Sequence, residues 1–251
     1  MIERSRFRTL IQIKESEGTG YGWSVICGII ARRSTIFRNR GLRGHMLETS
    51  RLECVRGERR LFHELSFTLG AGTLLEVRGP NGSGKTSLLR MLCGLLGPTA
   101  GQVSWNGSDI RQAREEFGAQ LAYVGHLNGI KDDLTALENL TLSARVAGID
   151  VKTDAAHEAL RDAGLGGFQH SPSRTLSQGQ RRRIALARLR LSTAQTLWVL
   201  DEPFNALDVA ALALMQSLLG AHLTNGGMVV LTTHQEVAIP SQSTRRIELG
   251  A

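Results

Sequence analysis

Cysteine is scarce in this chain. The three residues, Cys27, Cys54 and Cys93, are odd in number, widely separated and form no C-x-x-C pair. That argues against a disulfide framework or a structural zinc site and suits a reducing compartment. Long apolar runs are missing as well: the longest nearly uncharged stretch, Tyr21 to Ala31, is too short to cross a bilayer. Internal repeats and low-complexity tracts are absent. Even the charge excess is missing from most of the chain. Of the formal net charge of +7, nine Arg/Lys against three Glu lie within residues 1–45, which leaves the remainder close to neutral. The basic balance is therefore no sign of a nucleic-acid-binding fold.

What is present begins with a core. At 251 residues and 41% hydrophobic, the chain can build one large domain or two small ones. Residues 1–45 show no sustained period, and three readings are open: a targeting peptide, a basic membrane-surface arm, or a disordered extension with Met46 as the functional start. The last is preferred. From Leu47 the pattern turns regular. Ser50–Val55 and His63–Leu69 alternate as half-buried strands around a turn at Arg56-Gly57-Glu58. Gln102–Trp105 is a strand followed by the hairpin turn Asn106-Gly107, and Gln120–Val124 is a buried strand. Thr135 and Glu138 form a capping box opening a helix at Leu137–Ala147, and a second helix spans Asp154–Ala163. Strands and helices then resume at Gln195–Leu200, Val209–Leu219 and Met228–Thr233. The alternation predicts an α/β core with an inserted helical subdomain, at about 126–190.

The chemistry centres on Gly79-Pro80-Asn81-Gly82-Ser83-Gly84-Lys85-Thr86, which fits the phosphate-loop pattern G-x-x-x-x-G-K-[ST]. Leu74–Val77 before it reads as a strand, and Ser87–Leu96 after it as a helix stopped by Gly97-Pro98. Glycines let backbone amides turn onto phosphate oxygens, and a helix N-terminus adds positive potential. Lys85 is expected on the β- and γ-phosphates and Thr86 on Mg²⁺. An apolar strand ends in Asp201-Glu202, where Asp201 is expected to hold Mg²⁺ partly through water and Glu202 to act as general base. Leu176-Ser177-Gln178-Gly179-Gln180 opens a further helix with Ser177 and Gln180 as a capping box; Gly179 in its first turn permits close backbone approach. Arg181-Arg182-Arg183 follow, read either as a solvated face or as added positive potential. His234 ends another buried strand, at the sheet edge expected to carry Asp201 and Glu202.

Together these motifs resemble the nucleotide-binding domain of ATP-binding cassette (ABC) transporters, over about residues 47–249. Residues 79–86 match Walker A, 176–180 the signature, 196–202 Walker B, Asn205–Asp208 the D-loop and His234 the switch histidine, in family order. The resemblance implies a P-loop ABC fold with an antiparallel β-subdomain and an inserted α-helical subdomain. It also implies an ATPase using ATP and Mg²⁺, with Lys85, Glu202 and His234 as catalytic residues. Residues 79–87, Asp201 and, across a head-to-tail homodimer, Ser177, Gly179 and Gln180 would bind nucleotide. Two positions depart from the family: His126 stands where a glutamine usually lies and is expected near Mg²⁺ or water, and Arg56 stands near the usual adenine-stacking aromatic.

Within the family, the stretch Tyr123–Thr135 is similar to the ATPase subunit of the bacterial cytochrome c maturation (heme exporter) system. That likeness implies a peripheral protein at the cytoplasmic face of the inner membrane. Its partners would be a separate CcmB-like membrane permease and other maturation proteins, with no nucleic acid. None of the three cysteines precedes a proline, so the Cys-Pro heme-regulatory pattern is lacking. Three other readings stand beside this one, the first being an ATP-binding subunit of another ABC transporter with a different substrate. A cassette acting on nucleic acid or ribosomes is disfavoured because no heptad run separates Lys85 from Ser177. A non-hydrolysing regulator is disfavoured by the intact Lys85, Asp201, Glu202 and His234.

Overall fold

The computed structural model describes residues 44–250. The expectations for residues 1–43, with Cys27 and the Tyr21–Ala31 run, lie outside the described residues.

Two sheets follow from two kinds of strand. In the first, β1 (Leu47–Arg56) and β2 (Arg59–Leu69) pair antiparallel, with Leu47 opposite Leu69 and Arg56 opposite Arg59. Leu52 and Cys54 on β1 and Leu65, Phe67 and Leu69 on β2 are buried, while polar neighbours face out, as half-buried strands require. β4 (Ala100–Trp105) adds to β1, and β5 (Ser108–Asp109) returns after Asn106-Gly107, both at positive φ, as a tight two-residue hairpin demands. The order is β2-β1-β4-β5.

The second sheet is parallel: β3 (Thr73–Arg78), β6 (Leu121–Val124), β7 (Leu197–Leu200), β8 (Met228–Thr232) and β9 (Ser243–Glu248) lie in the order β6-β7-β8-β3-β9. β7 and β8 are buried along their whole length because both faces are covered. Alternate residues serve different cores. Leu197 and Val199 pack with Val77, Val230, Trp105 and the helix α1 (Lys85–Leu92), which joins the two sheets. Trp198 and Leu200 face the opposite way, against Leu186 and Leu189 of α5 (Gln178–Leu191) and Met215, Leu219 and Leu223 of α6 (Val209–Thr224). A third cluster holds the helical subdomain: Leu140 of α3 (Ala136–Val146), Leu160 of α4 (Thr153–Asp162) and Ile184 of α5. Helix α5 therefore buries two faces, one in each of the last two cores. Each fully buried leucine there stabilises the fold by roughly 1.5–3 kcal/mol.

Three differences from the sequence reading have physical causes. Helix α1 stops at Leu92, short of the expected Leu96, because Gly94 turns left-handed and the Leu95 and Leu96 amides both fold back onto the Arg90 carbonyl. Short α2 (Arg114–Ala119) and β9 went unread. β9 is an edge strand carrying Arg245 and Arg246, and its register places Arg246 opposite Glu76 on β3, where the two form an ion pair at 3.0 Å.

His222 on α6 is buried and stacked on Trp198, with ring centroids 3.8 Å apart, and its Nε2 lies 3.2 Å from the Thr196 carbonyl oxygen. Burial pushes its pKa down from 6.5 to about 4, against backbone hydrogen bonds that pull the other way. The folded protein thus holds a neutral imidazole that the unfolded chain protonates more readily. Its contribution is complete above pH 6.5 and is lost as the pH falls through 4. By that point about 3 kcal/mol is forfeited. Urea unfolding at pH 7 and pH 4.5 is expected to show this loss in the wild type and a shallower pH slope in His222→Gln.

Candidate active site

A parallel sheet puts the carboxyl ends of its strands on one edge, and four of the expected motifs leave the sheet there. β3 runs into the phosphate loop, β7 into Asp201-Glu202, β8 toward His234 and β6 into Gly125-His126.

The loop is built on left-handed glycines. Gly79 has φ 137°, and a Cβ there would lie 2.2 Å from the Leu249 carbonyl oxygen, just beyond β9. Gly84, at φ 102°, is the N-cap of α1 and supplies no side-chain cap, so the first amides of α1 have no side-chain acceptor from it. Lys85 is buried and lies back over the loop, donating to the Gly79 carbonyl at 2.7 Å and the Pro80 carbonyl at 3.0 Å. The Ser83 hydroxyl is buried with no partner among the described residues. Uncapped amides, an ammonium with a hydrogen to spare and an orphaned hydroxyl fit the oxygens of a polyphosphate.

Opposite the loop, Asp201 is 2% exposed and accepts two hydrogen bonds, from Thr86 Oγ1 and Thr232 Oγ1, each at 2.8 Å. Thr86 and Asp201 therefore present a hydroxyl and a carboxylate oxygen side by side, the hard donors that Mg²⁺ takes alongside phosphate and water. The Thr232 oxygen also accepts the Glu202 amide at 2.8 Å. Glu202 itself has φ 49°, unusual for a non-glycine residue. Its Oε1 stands 3.2 Å from His234 Nε2, and its Oε2 accepts from the Asn205 side-chain amide. The carboxylate is thus held on both oxygens.

The remaining expected residues are spread more widely. Ser177 caps α5, accepting from the Gln180 amide at 3.2 Å, while the Gln180 side chain accepts from the Ser177 amide at 2.8 Å. The Gln180 side-chain oxygen is occupied by this cap. A Cβ on Gly179 would lie 2.6 Å from the Ala206 carbonyl oxygen, so the close approach that glycine permits here is to the D-loop of the same chain. Among the described residues, none of Ser177, Gly179 and Gln180 bonds to residues 79–87. Asp208 caps α6 through the Ala211 amide and lies 3.9 Å from Arg183. His126 is exposed and makes no hydrogen bond to Thr86, Asp201 or Glu202. Arg56 is exposed at the end of β1, beside the Cys54 thiol, which also faces Ser87. Both described cysteines are buried, and burial pushes their thiols up, for Cys93 with the Asp201 charge adding to it. Neither is a ready nucleophile.

The arginine run is corrected. Arg181 bonds the Ser173 carbonyl and Asp132, and Arg183 faces Asp208. Arg182 is neither solvated nor a diffuse source of potential: it is 4% exposed beneath the site. Arg182, Thr232 and Asn205 are the functional contacts that sequence reasoning missed. For Arg182 there was a signal. It precedes Leu186 and Leu189 by four and seven residues, so it shares their buried stripe.

A family model described as ABC transporter matches residues 62–205. A protein of Nitrosomonas europaea named cytochrome c biogenesis ATP-binding export protein CcmA is 53% identical over 205 residues, covering 82% of this chain and 96% of its own length. The protein of that name from Escherichia coli K12 is 48% identical over 204 residues, covering 81% and 96%. Among solved structures, an ATP-binding subunit of an ABC transporter superposes with a TM-score of 0.70 at 24% identity, covering 82% of this chain and 88% of its own. An ATP-binding cassette in a dimeric post-hydrolysis state, bound to ADP and Pi, gives 0.68 at 24% identity, covering 82% and 97%. At that identity the structures speak for the fold alone.

Proposed function

This chain belongs to the ABC transporter family, and we propose that it is the ATP-hydrolysing, energy-coupling subunit of a transporter for cytochrome c biogenesis. It would drive heme export, or the release of a heme-loaded chaperone, across the bacterial inner membrane. The observation that carries this reading is the identity of about half of all positions, over nearly the full length of relatives named for that export process.

The chemistry is phosphoryl transfer from ATP to water. Thr86 and Asp201 would hold Mg²⁺, which when bound would neutralise phosphate charge. Residues 79–87 bind and orient the phosphates, Lys85 leaving the loop carbonyls for the β- and γ-oxygens. Glu202 takes the proton of the attacking water as its oxygen bonds to the γ-phosphorus and the bond to ADP breaks. His234 and Asn205 hold the Glu202 carboxylate in place. Ser177 and Gly179, separate from the loop in their own chain, are read as serving the nucleotide of a second copy in a head-to-tail homodimer.

Among the described residues no helix is long and apolar enough to cross a membrane. We place the spanning part on a separate CcmB-like permease, with this chain peripheral at the cytoplasmic face. Leu127 and Val146, 84% and 82% exposed, are apolar positions suited to that contact. The test is a gel stain for covalently bound heme in cells whose only copy carries Glu202→Gln. Loss of heme-bearing c-type cytochromes, with the protein still accumulating, is the expected result. Normal cytochromes would leave the cassette standing and remove it from this pathway.

A further inference from the structure

Two segments meet on one buried guanidinium. Arg182 NH1 donates to the Gly125 carbonyl at 2.9 Å and to Asn128 Oδ1 at 3.0 Å. NH2 donates to the Asp201 carbonyl at 2.7 Å and to the Glu202 carbonyl at 2.9 Å. One fork thus grips the loop after β6, and the other grips the two residues that end β7. The segments are separated by more than seventy residues in sequence. Burial works against the Arg182 charge, and the neighbouring Asp201 and Glu202 carboxylates work for it. A planar fork satisfying four oxygens from two segments is a geometry that lysine cannot copy.

The backbone of Glu202 shows what the grip achieves. Its left-handed φ persists only where surrounding bonds over-determine it. Thr232 holds the Glu202 amide and Arg182 holds the carbonyl, so the peptide groups on both sides of the Cα are fixed. Loosening either lets the residue relax and swings the carboxylate away. The far end of the fork sits on Gly125 and Asn128, flanking the exposed His126 and Leu127.

We propose that Arg182 is a positioning residue for hydrolysis, which sets the Glu202 carboxylate by bridging the Gly125–Asn128 loop to the Asp201-Glu202 backbone. A displacement of that loop is thereby transmitted to the proton acceptor, without contact between Arg182 and nucleotide. This rests on the reading of Glu202 as the general base.

The experiment measures ATP turnover and binding of a fluorescent ATP analogue with the full chain, for Arg182→Lys, Asn128→Ala and Glu202→Gln, and for each of the first two combined with Glu202→Gln. Asn128→Ala removes one acceptor at the partly exposed end of the fork and keeps the test open if Arg182→Lys does not fold. Arg182→Lys is expected to lower kcat at least about tenfold and Asn128→Ala about threefold, both with unchanged KM and analogue affinity. In the Glu202→Gln background neither is expected to lower the residual rate further, because their target is gone. A merely structural role would raise KM, or would depress the residual rate by the same factor in both backgrounds, and either outcome overturns the proposal. So would wild-type kcat in both single variants while Glu202→Gln is inactive, which leaves the catalytic reading intact. Full activity of Glu202→Gln would instead remove that reading, and this proposal with it.

Discussion

Glu202→Gln is expected to lower ATP turnover on the order of 10²–10⁴-fold while ATP binding stays within a few-fold of wild type. The substitution keeps the size of the side chain and an oxygen for Asn205 or His234 to meet. What it removes is the capacity to accept a proton from water. Neither the phosphate loop nor the pair of Thr86 and Asp201 loses a contact, since Glu202 bonds to His234 and Asn205 and not to them. Loss should therefore appear in kcat and not in KM. Steady-state turnover read beside analogue titration checks both halves. Equal turnover in the two proteins would end the assignment of Glu202 as base, whatever the binding shows.

Gly79→Ala is expected to abolish nucleotide binding and to destabilise the fold together. A methyl group there meets the Leu249 carbonyl oxygen at 2.2 Å, a backbone atom that cannot rotate away, and the Ser83 side chain at 2.8 Å. The φ of 137° lies where non-glycine residues are strained, at about 1–3 kcal/mol before the clash is counted. Relief requires moving the loop off the end of β9, which carries the Gly79 carbonyl away from Lys85. Denaturant midpoints are expected to fall, and the ATP analogue to lose its saturable signal even at concentrations where the variant remains folded. Retained binding at wild-type affinity would mean that the contact with Leu249 gives way without cost to the loop.

Much of the site was legible because its parts are local. The capping boxes at Thr135/Glu138 and Ser177/Gln180 are present as read, each closed over three residues. The Asn106-Gly107 hairpin and the buried runs of β7 and β8 are likewise properties of a few neighbouring side chains. β9 was illegible for the opposite reason. It carries two adjacent arginines, and the carboxylate that holds one of them, Glu76, lies 170 residues earlier. The same applies to the arginine run, where three adjacent side chains of one type end in three different surroundings.

By itself the chain's order of residues determined which groups form the phosphate-loop pattern, which acids end a strand and where helices start, since each depends on spacing within one turn or one strand. The tertiary structure alone decided how those groups meet. Thr86 reaches Asp201 across 115 residues, Thr232 reaches Asp201 across 31, and Arg182 reaches the Glu202 carbonyl across 20. No periodicity records such contacts. They exist because parallel pairing brings the strand ends to one edge, and because α5, pressed between two apolar clusters, carries Arg182 inward, where its two terminal nitrogens find four oxygens.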